Sequence, residues 1–443
     1  MLFGTPKANR LGSSSEISWE NVDKMSGKYD WKLGRRPPIL GEHSLAKHEI
    51  FEHYVKVYID RVTRTPSQTM LNLTIVDGFC GGGLYRLGST EVDGSPLRLL
   101  KAVEAVDEAL GAARAKGFDL RVDFFFIDEK RHHIDFLNDL LRKRGYGPRL
   151  GRDIFVRQAP FQEALPDVVA HIRSKGTAHR SLFFLDQYGW SDVALRTMRD
   201  ILNSLEKPEI LLTFAVDALI DFLSEKTGET QALLNIELDR EDVRALTGLR
   251  DGDGWRYLIQ NGLYRHIRDR AGAPFYTPFF IHSVDAHRSY WLLHLSKHRQ
   301  ARDEMGKLHW RLNNHFQHHG GAGFHALGFD PSKDIRQGML TFMFDDDARR
   351  RSETAVLEQL PPMIHSATRE GRGLLVEELF AGNCNDTPIT SEILQKQLVI
   401  LRDEGELSII SADGSKKPRA KTIGWGDRLF LPDERSLFSR LGF

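Results

Sequence analysis

Four glycines fall within six residues directly after an apolar β-branched run, in residues 73–96 (LTIVDGFCGGGLYRLGSTEVDGSP), and this juncture constrains the fold more than any other stretch. Leu73, Thr74, Ile75 and Val76 suit a buried strand, with Asp77 at its carboxyl end. Gly78, Gly81, Gly82 and Gly83 lack the side chains that would hold a ligand at a distance, and a helix start follows. Ligands of open α/β sheets bind at that end of the strands. The spacing GxxGGG is not the dinucleotide GxGxxG, and no Gly-Lys-Ser/Thr follows to make a P-loop. Hydride transfer and nucleotide hydrolysis lose ground accordingly, and S-adenosylmethionine is the expected cofactor.

The next strand of such a sheet should end in an acid able to accept hydrogen bonds from a ribose. Residues 122–128 (VDFFFID) end in Asp128 and open a helix with the apolar series Ile134, Leu137, Leu140 and Leu141. Asp128 is the ribose candidate, against the alternative that it only caps the helix. A third strand, 153–158 (DIFVRQ), leads into Phe161 and Gln162, where adenine would lie; Phe161 suits plain core equally well.

The fourth strand, in residues 181–190 (SLFFLDQYGW), drives four apolar residues into Asp186, Gln187 and Tyr188. A carboxylate and main-chain carbonyls at a sheet edge accept hydrogen bonds from an exocyclic amine while an aromatic ring stacks on the base. The loop is similar to the Asp-Pro-Pro-Tyr loop of amino-group methyltransferases and the Asp-Pro-Phe-Gly loop of tRNA guanosine dimethyltransferases, with Gln187 where those carry proline. The alternative is that Asp186 caps a helix over 192–205 and that Tyr188 and Trp190 pack over it.

A fifth strand (208–216) and a closing pair (276–283 and 289–296) complete a Rossmann-like α/β sheet of the class I methyltransferase type. Residues 217–270 are charged, helix-patterned and too long for an ordinary crossover, so they are expected to form a helical insertion. The order of motifs resembles the three-Cys-motif partner family. The resemblance is carried by His43, Lys47 and His48, by DGFCGGG with Gly94, Ser95 and Pro96, by LDQYGW, and by YWLLHLSKHRQARDEM. It implies a methyltransferase-like domain followed by a winged helix, and a protein partner with a three-cysteine, radical-enzyme-like motif. It also implies that Lys47 and His48 lie near the active site.

Composition narrows the remaining classes. Cys80 and Cys384 are the only cysteines, which excludes a zinc ribbon or iron–sulfur cluster within this chain, so three-cysteine chemistry belongs to a partner. No apolar run is long enough to span a bilayer and residues 1–10 lack a signal-peptide core, so a cytoplasmic protein with no membrane contact is expected. Balanced charge, 61 basic against 61 acidic residues, argues against indiscriminate coating of nucleic acid. His315, His318, His319 and His325 match no usual zinc spacing, so no metal is expected there.

The organisation expected is a flexible extension (1–27), a methyltransferase-like domain (28–344) and a winged-helix α+β domain (345–443). Within residues 28–38 Tyr29 and Trp31 sit among cations; they could stack on a base, although anchoring to the body is the commoner fate of such a tryptophan. In the last domain residues 390–405 read as a recognition helix and Lys416, Lys417, Arg419 and Lys421 as a basic wing able to meet phosphates. Two functions survive: a methyltransferase acting on tRNA or DNA, and a noncatalytic adaptor that binds nucleic acid and recruits its three-cysteine partner. Hydrolysis of nucleic acid lacks a carboxylate cluster or metal site to support it.

Overall fold

The computed structural model describes residues 29–114, 117–223, 228–251, 255–283, 288–312, 316–319, 322–324, 341–369, 371–416 and 423–432. The expected extension 1–27 lies outside them. Helix α1 (Glu42–Val62) lays Ile50, Phe51, Tyr54, Val55, Tyr58 and Ile59 against the sheet, each at most 4% exposed. Strand β1 (Met70–Asp77) is buried on both faces from Leu73 onward, as a central parallel strand must be.

The glycine loop does not run straight into a helix. A hairpin, β2 (Leu84–Leu87) and β3 (Thr90–Asp93), intervenes, turning through Gly88 in the left-handed region, and only then does α2 (Ser95–Ala113) begin. The alternation continues with β4 (Asp119–Asp128), α3 (Arg131–Lys143), β5 (Ile154–Gln158), α4 (Phe161–Ser174), β6 (Arg180–Leu185), α5 (Leu195–Ser204) and β7 (Pro208–Phe214). Helices α6 (Val216–Phe222), α7 (Gln231–Asn235), α8 (Arg240–Thr247) and α9 (Trp255–Ala271) occupy the stretch between β7 and the antiparallel pair β8 (Phe275–Ser283) and β9 (Arg288–Ser296). Helix α10 (Arg299–Leu312) follows, and β10 (Phe316–His319) and β11 (Thr341–Met343) extend the edge beyond β8.

The nine-stranded order is β11-β10-β8-β9-β7-β6-β1-β4-β5. Strands β5, β4, β1, β6 and β7 are parallel neighbours, and β9 joins β7 antiparallel. This is a mixed α/β sheet with a parallel core resembling class I methyltransferases. Alternation of side chains gives each face its own core: Ile75, Phe124, Phe126, Leu182 and Phe184 pack with α1, α2 and α3, whereas Val76, Phe125, Ile127, Phe183 and Leu185 pack with α4, α5 and the helices after β7.

The C-terminal elements are α11 (Asp346–Arg369), β12 (Leu374–Leu375), α12 (Val376–Asn383), α13 (Ser391–Asp403), β13 (Ser408–Ile410) and β14 (Arg428–Phe430), with the three strands forming one small sheet. They are bonded firmly to the larger sheet. Asp303 on α10 accepts from Ser391 N at 2.7 Å and Oγ at 2.6 Å, Trp310 Nε1 donates to Pro388 O at 2.7 Å, and Asn385 Nδ2 donates to Pro274 O at 3.0 Å. Arg302, fully buried, donates to the Thr277 hydroxyl and the Thr387 carbonyl.

Candidate functional site

The strand order reverses between β1 and β6, and at that switch point the carboxyl ends of an open sheet form a crevice. Register sets Asp77 beside Phe126 of β4 and Phe184 of β6, each two residues short of an acid. Asp77, Asp128 and Asp186 therefore gather at one end of three adjacent strands.

Asp77 is 1% exposed, and burial pushes its carboxyl up to about 7, reinforced by the charges of Asp186 and Asp128 and offset in part by the Ser95 hydroxyl and Phe79 N–H. Its Oδ1 accepts from Phe79 N at 3.3 Å, while Oδ2 is buried without a hydrogen-bond partner of normal geometry. Asp186 has the opposite fate. Burial would raise its carboxyl, but Lys47 Nζ, 2.5 Å from Oδ1, prevails and holds it below the ordinary aspartate range. His48, one residue on, is also buried and contributes in the same direction. The helix in which the family resemblance placed Lys47 and His48 brings both residues beside Asp186. The His43 side chain is outside the described residues.

The glycines are filled by the protein itself. A Cβ on Gly81 would come within 2.7 Å of the Trp31 ring, and one on Gly82 would overlap the same indole. Gly83 is close-packed by Leu137, and Gly78 by Leu185 and Phe161. Gly81 and Gly83 also have φ of +57° and +77°, a region that disfavours any side chain. Trp31 is 3% exposed, donates from Nε1 to Leu84 O, and meets Tyr85 and His133 edge-on, so it anchors to the body as its type usually does. The loop is pinned from below by Gly78 N to Phe184 O at 2.9 Å and Cys80 N to Ile127 O at 3.0 Å.

Asp128 is engaged but not saturated. It accepts from Gly81 N at 3.1 Å, Lys130 N at 2.8 Å and His133 Nδ1 at 3.0 Å, three bonds on a carboxylate with about four acceptor positions. Phe161 is 4% exposed at the start of α4, between Gly78 and Phe79. Gln162 donates to Asp192 O. Gln187 is 1% exposed and turns inward, its Oε1 accepting from Val193 N at 2.9 Å, so it braces the loop rather than facing the crevice. Tyr188 is 38% exposed, and Trp190 packs on Phe222. Asp186 does not cap the next helix, which starts at Leu195 with no side-chain cap.

Of the basic wing only Lys416 falls among the described residues, where it is exposed; Lys417, Arg419 and Lys421 lie outside them. The exposed positions of α13 are Glu392, Lys396 and Asp403, and Lys396 is paired with Glu353 at 2.6 Å. His318 and His319 lie in β10 with side chains outside the described residues, as are His315 and His325 entirely. Among the described residues one group has metal-ligand spacing, Asp30, His132 and His133, and sequence reading missed it because Asp30 is about a hundred residues from the histidines. Trp31 filling the glycine cradle was equally invisible in a linear pattern. No helix among the described residues is long and apolar enough to cross a membrane.

No curated protein sequence matches this one. Three solved structures align with this chain at low similarity. A Klebsiella pneumoniae protein assigned as an O-methyltransferase is 12% identical, with 59% of this chain and 92% of that one covered and a TM-score of 0.26. A Methanococcus maripaludis protein assigned as an S-adenosyl-L-methionine-dependent methyltransferase is 12% identical, with 65% and 97% covered and a TM-score of 0.24. The plantazolicin methyltransferase BpumL, solved with S-adenosylhomocysteine, is 12% identical, with 64% and 92% covered and a TM-score of 0.23. At these scores the fold assignment rests on the strand order itself. Residues 328–414 match the family described as the GMT-like wHTH domain, which makes the C-terminal elements a winged helix-turn-helix.

Proposed function

We propose that the protein binds S-adenosylmethionine at the carboxyl ends of β1, β4 and β6 and transfers its methyl group to a nucleic acid, tRNA or DNA, that the winged helix presents. The observation that carries this reading is Asp77: a buried carboxyl with an unpartnered oxygen, flanked by two further acids at the switch point. A buried, unsatisfied acceptor among like charges is costly on its own, and a cationic ligand removes the cost. The cofactor is such a ligand, supplying an ammonium group and an electrophilic methyl on a sulfonium.

In this mechanism Asp77 Oδ2 would accept from the ammonium group of the cofactor, and the acceptor position left on Asp128 would take a ribose hydroxyl. Phe161 and the glycine loop wall the site. Asp186, fixed by Lys47 through Oδ1, would accept through Oδ2 from the exocyclic amine of a base, orienting the amine nitrogen to take the methyl group as the methyl–sulfur bond breaks, with S-adenosylhomocysteine leaving and the amine proton lost to water. The Tyr188 ring lies at the mouth, where a base would stack.

A second reading is favoured by one specific arrangement. Lys47 already occupies Asp186 and Gln187 is committed to the backbone, as suits an adaptor that keeps the cofactor pocket and recruits a three-cysteine partner without turnover. Radiolabelled methyl transfer to total tRNA and to duplex DNA separates the two. Label in either pool supports the enzyme; cofactor binding with neither pool labelled leaves the adaptor.

A further inference from the structure

Asp30, His132 and His133 meet beside the glycine loop, and His133 reaches the cofactor site only through its other ring nitrogen, bonded to Asp128. Adjacent helix residues point roughly 100° apart, so two neighbouring imidazoles converge on one point only when a third group enters from elsewhere. Asp30 does so. Its Oδ1 lies 2.5 Å from His132 Nε2 and 3.6 Å from His133 Nε2, while its Oδ2 is paired with Lys32. All three donor atoms fall within 4.8 Å of one another.

His133 supplies an independent observation. The residue is 4% exposed, and its Nε2 is buried with no hydrogen-bond partner. The other ring nitrogen, Nδ1, is 3.0 Å from Asp128 Oδ1, an acceptor, so Nδ1 carries the proton. In the neutral ring Nε2 then presents a lone pair to the Asp30 carboxylate. Two acceptors face each other, and only a proton or a cation can stand between them. A carboxylate that holds the far nitrogen of a histidine is also the arrangement that orients metal-bound imidazoles.

We infer that Asp30, His132 and His133 form a binding site for a divalent transition-metal ion of the zinc class. Two imidazoles and one carboxylate suit zinc and its neighbours, whereas magnesium and calcium require oxygen donors throughout. A tetrahedral site with bonds of about 2.0–2.1 Å sets its donors roughly 3.3 Å apart, so the His132–Asp30 contact opens by less than an ångström on loading. The fourth position is left to water. Because Asp30 adjoins Trp31, the ion fastens the segment that covers Gly81 and Gly82 to the first turn of α3. Zinc is titrated without cofactor, so its uptake is read separately from cofactor binding.

Untagged full-length protein, stripped with a chelator, is titrated calorimetrically with zinc alone. The expected result is one equivalent per chain, weakened at least tenfold in H132A and in D30N, together with a zinc-dependent change in tryptophan fluorescence that both variants lose. The His132 and Asp30 side chains are 42% and 41% exposed, so both variants should keep the metal-free melting behaviour, and lost binding then reports lost ligands. Absence of saturable uptake, or uptake unchanged in both variants, overturns the site.

Discussion

Lys47 Nζ and Asp186 Oδ1 lie 2.5 Å apart, joining α1 to the end of β6 across 139 positions of sequence. Their side chains are 8% and 19% exposed, so removing one partner strands the other in a poorly solvated place. Lys47→Ala should cost about 3 kcal/mol in urea unfolding, and Asp186→Asn introduced into that background should recover part of the loss. The sign with pH follows from the lowered carboxyl: the pair's contribution is present above the unfolded value of 3.8 and fades as pH falls through the folded one. Additive single-mutant effects would show that the two residues are not coupled.

Asp77 titrates the other way. Its carboxyl is raised from 3.8 to about 7, so this group stabilises the fold fully below the unfolded value and loses that contribution as pH rises through about 7. Asp77→Asn should therefore gain melting temperature over wild type progressively between pH 4 and 7, with the difference level above that. The same variant should bind cofactor more weakly, and wild-type binding below pH 7 should release protons, read from calorimetry in buffers of different ionisation enthalpy.

Gly82 needs no left-handed backbone, so its lack of a side chain is explained by Trp31 alone. Gly82→Ala should destabilise by about 1–3 kcal/mol through overpacking, and the penalty should largely vanish when Trp31 is already alanine. An undiminished penalty in the double variant would place the constraint elsewhere.

The wing is tested by salt. Changing Lys416, Lys417, Arg419 and Lys421 together to alanine should weaken binding to duplex DNA and reduce the slope of log affinity against log salt by up to about 3.6, at close to 0.9 for each phosphate no longer neutralised. A wild-type protein that binds neither RNA nor DNA at low salt would turn the winged helix into a protein dock.

The sheet was legible because its central strands are short apolar runs leading into acids, and continuous burial from Leu73 to Asp77 and from Phe124 to Ile127, with alternate residues serving the two faces, follows from that pattern. Thr390 and Gly405 likewise bracket α13: Thr390 caps it through Ile393 N, and Gly405 adopts φ +77° just past its end. What the site does with those acids was not legible. The pairing of Asp186 with Lys47 depends on how α1 crosses the sheet, and a glycine gives no sign of whether a ligand or a distant indole needs its space. Trp31, Asp30 and His133 meet through tertiary packing, which no local periodicity encodes.

The central claim is that the three-acid crevice holds S-adenosylmethionine. Calorimetric titration of the purified full-length chain with S-adenosylmethionine and S-adenosylhomocysteine tests it most directly. One equivalent of each ligand should bind per chain, and Asp128→Ala should weaken both by about 1–3 kcal/mol through loss of the ribose hydrogen bond. Folded wild-type protein that gives no saturable heat with either ligand, or an Asp128→Ala variant that binds as tightly as wild type, would contradict the account.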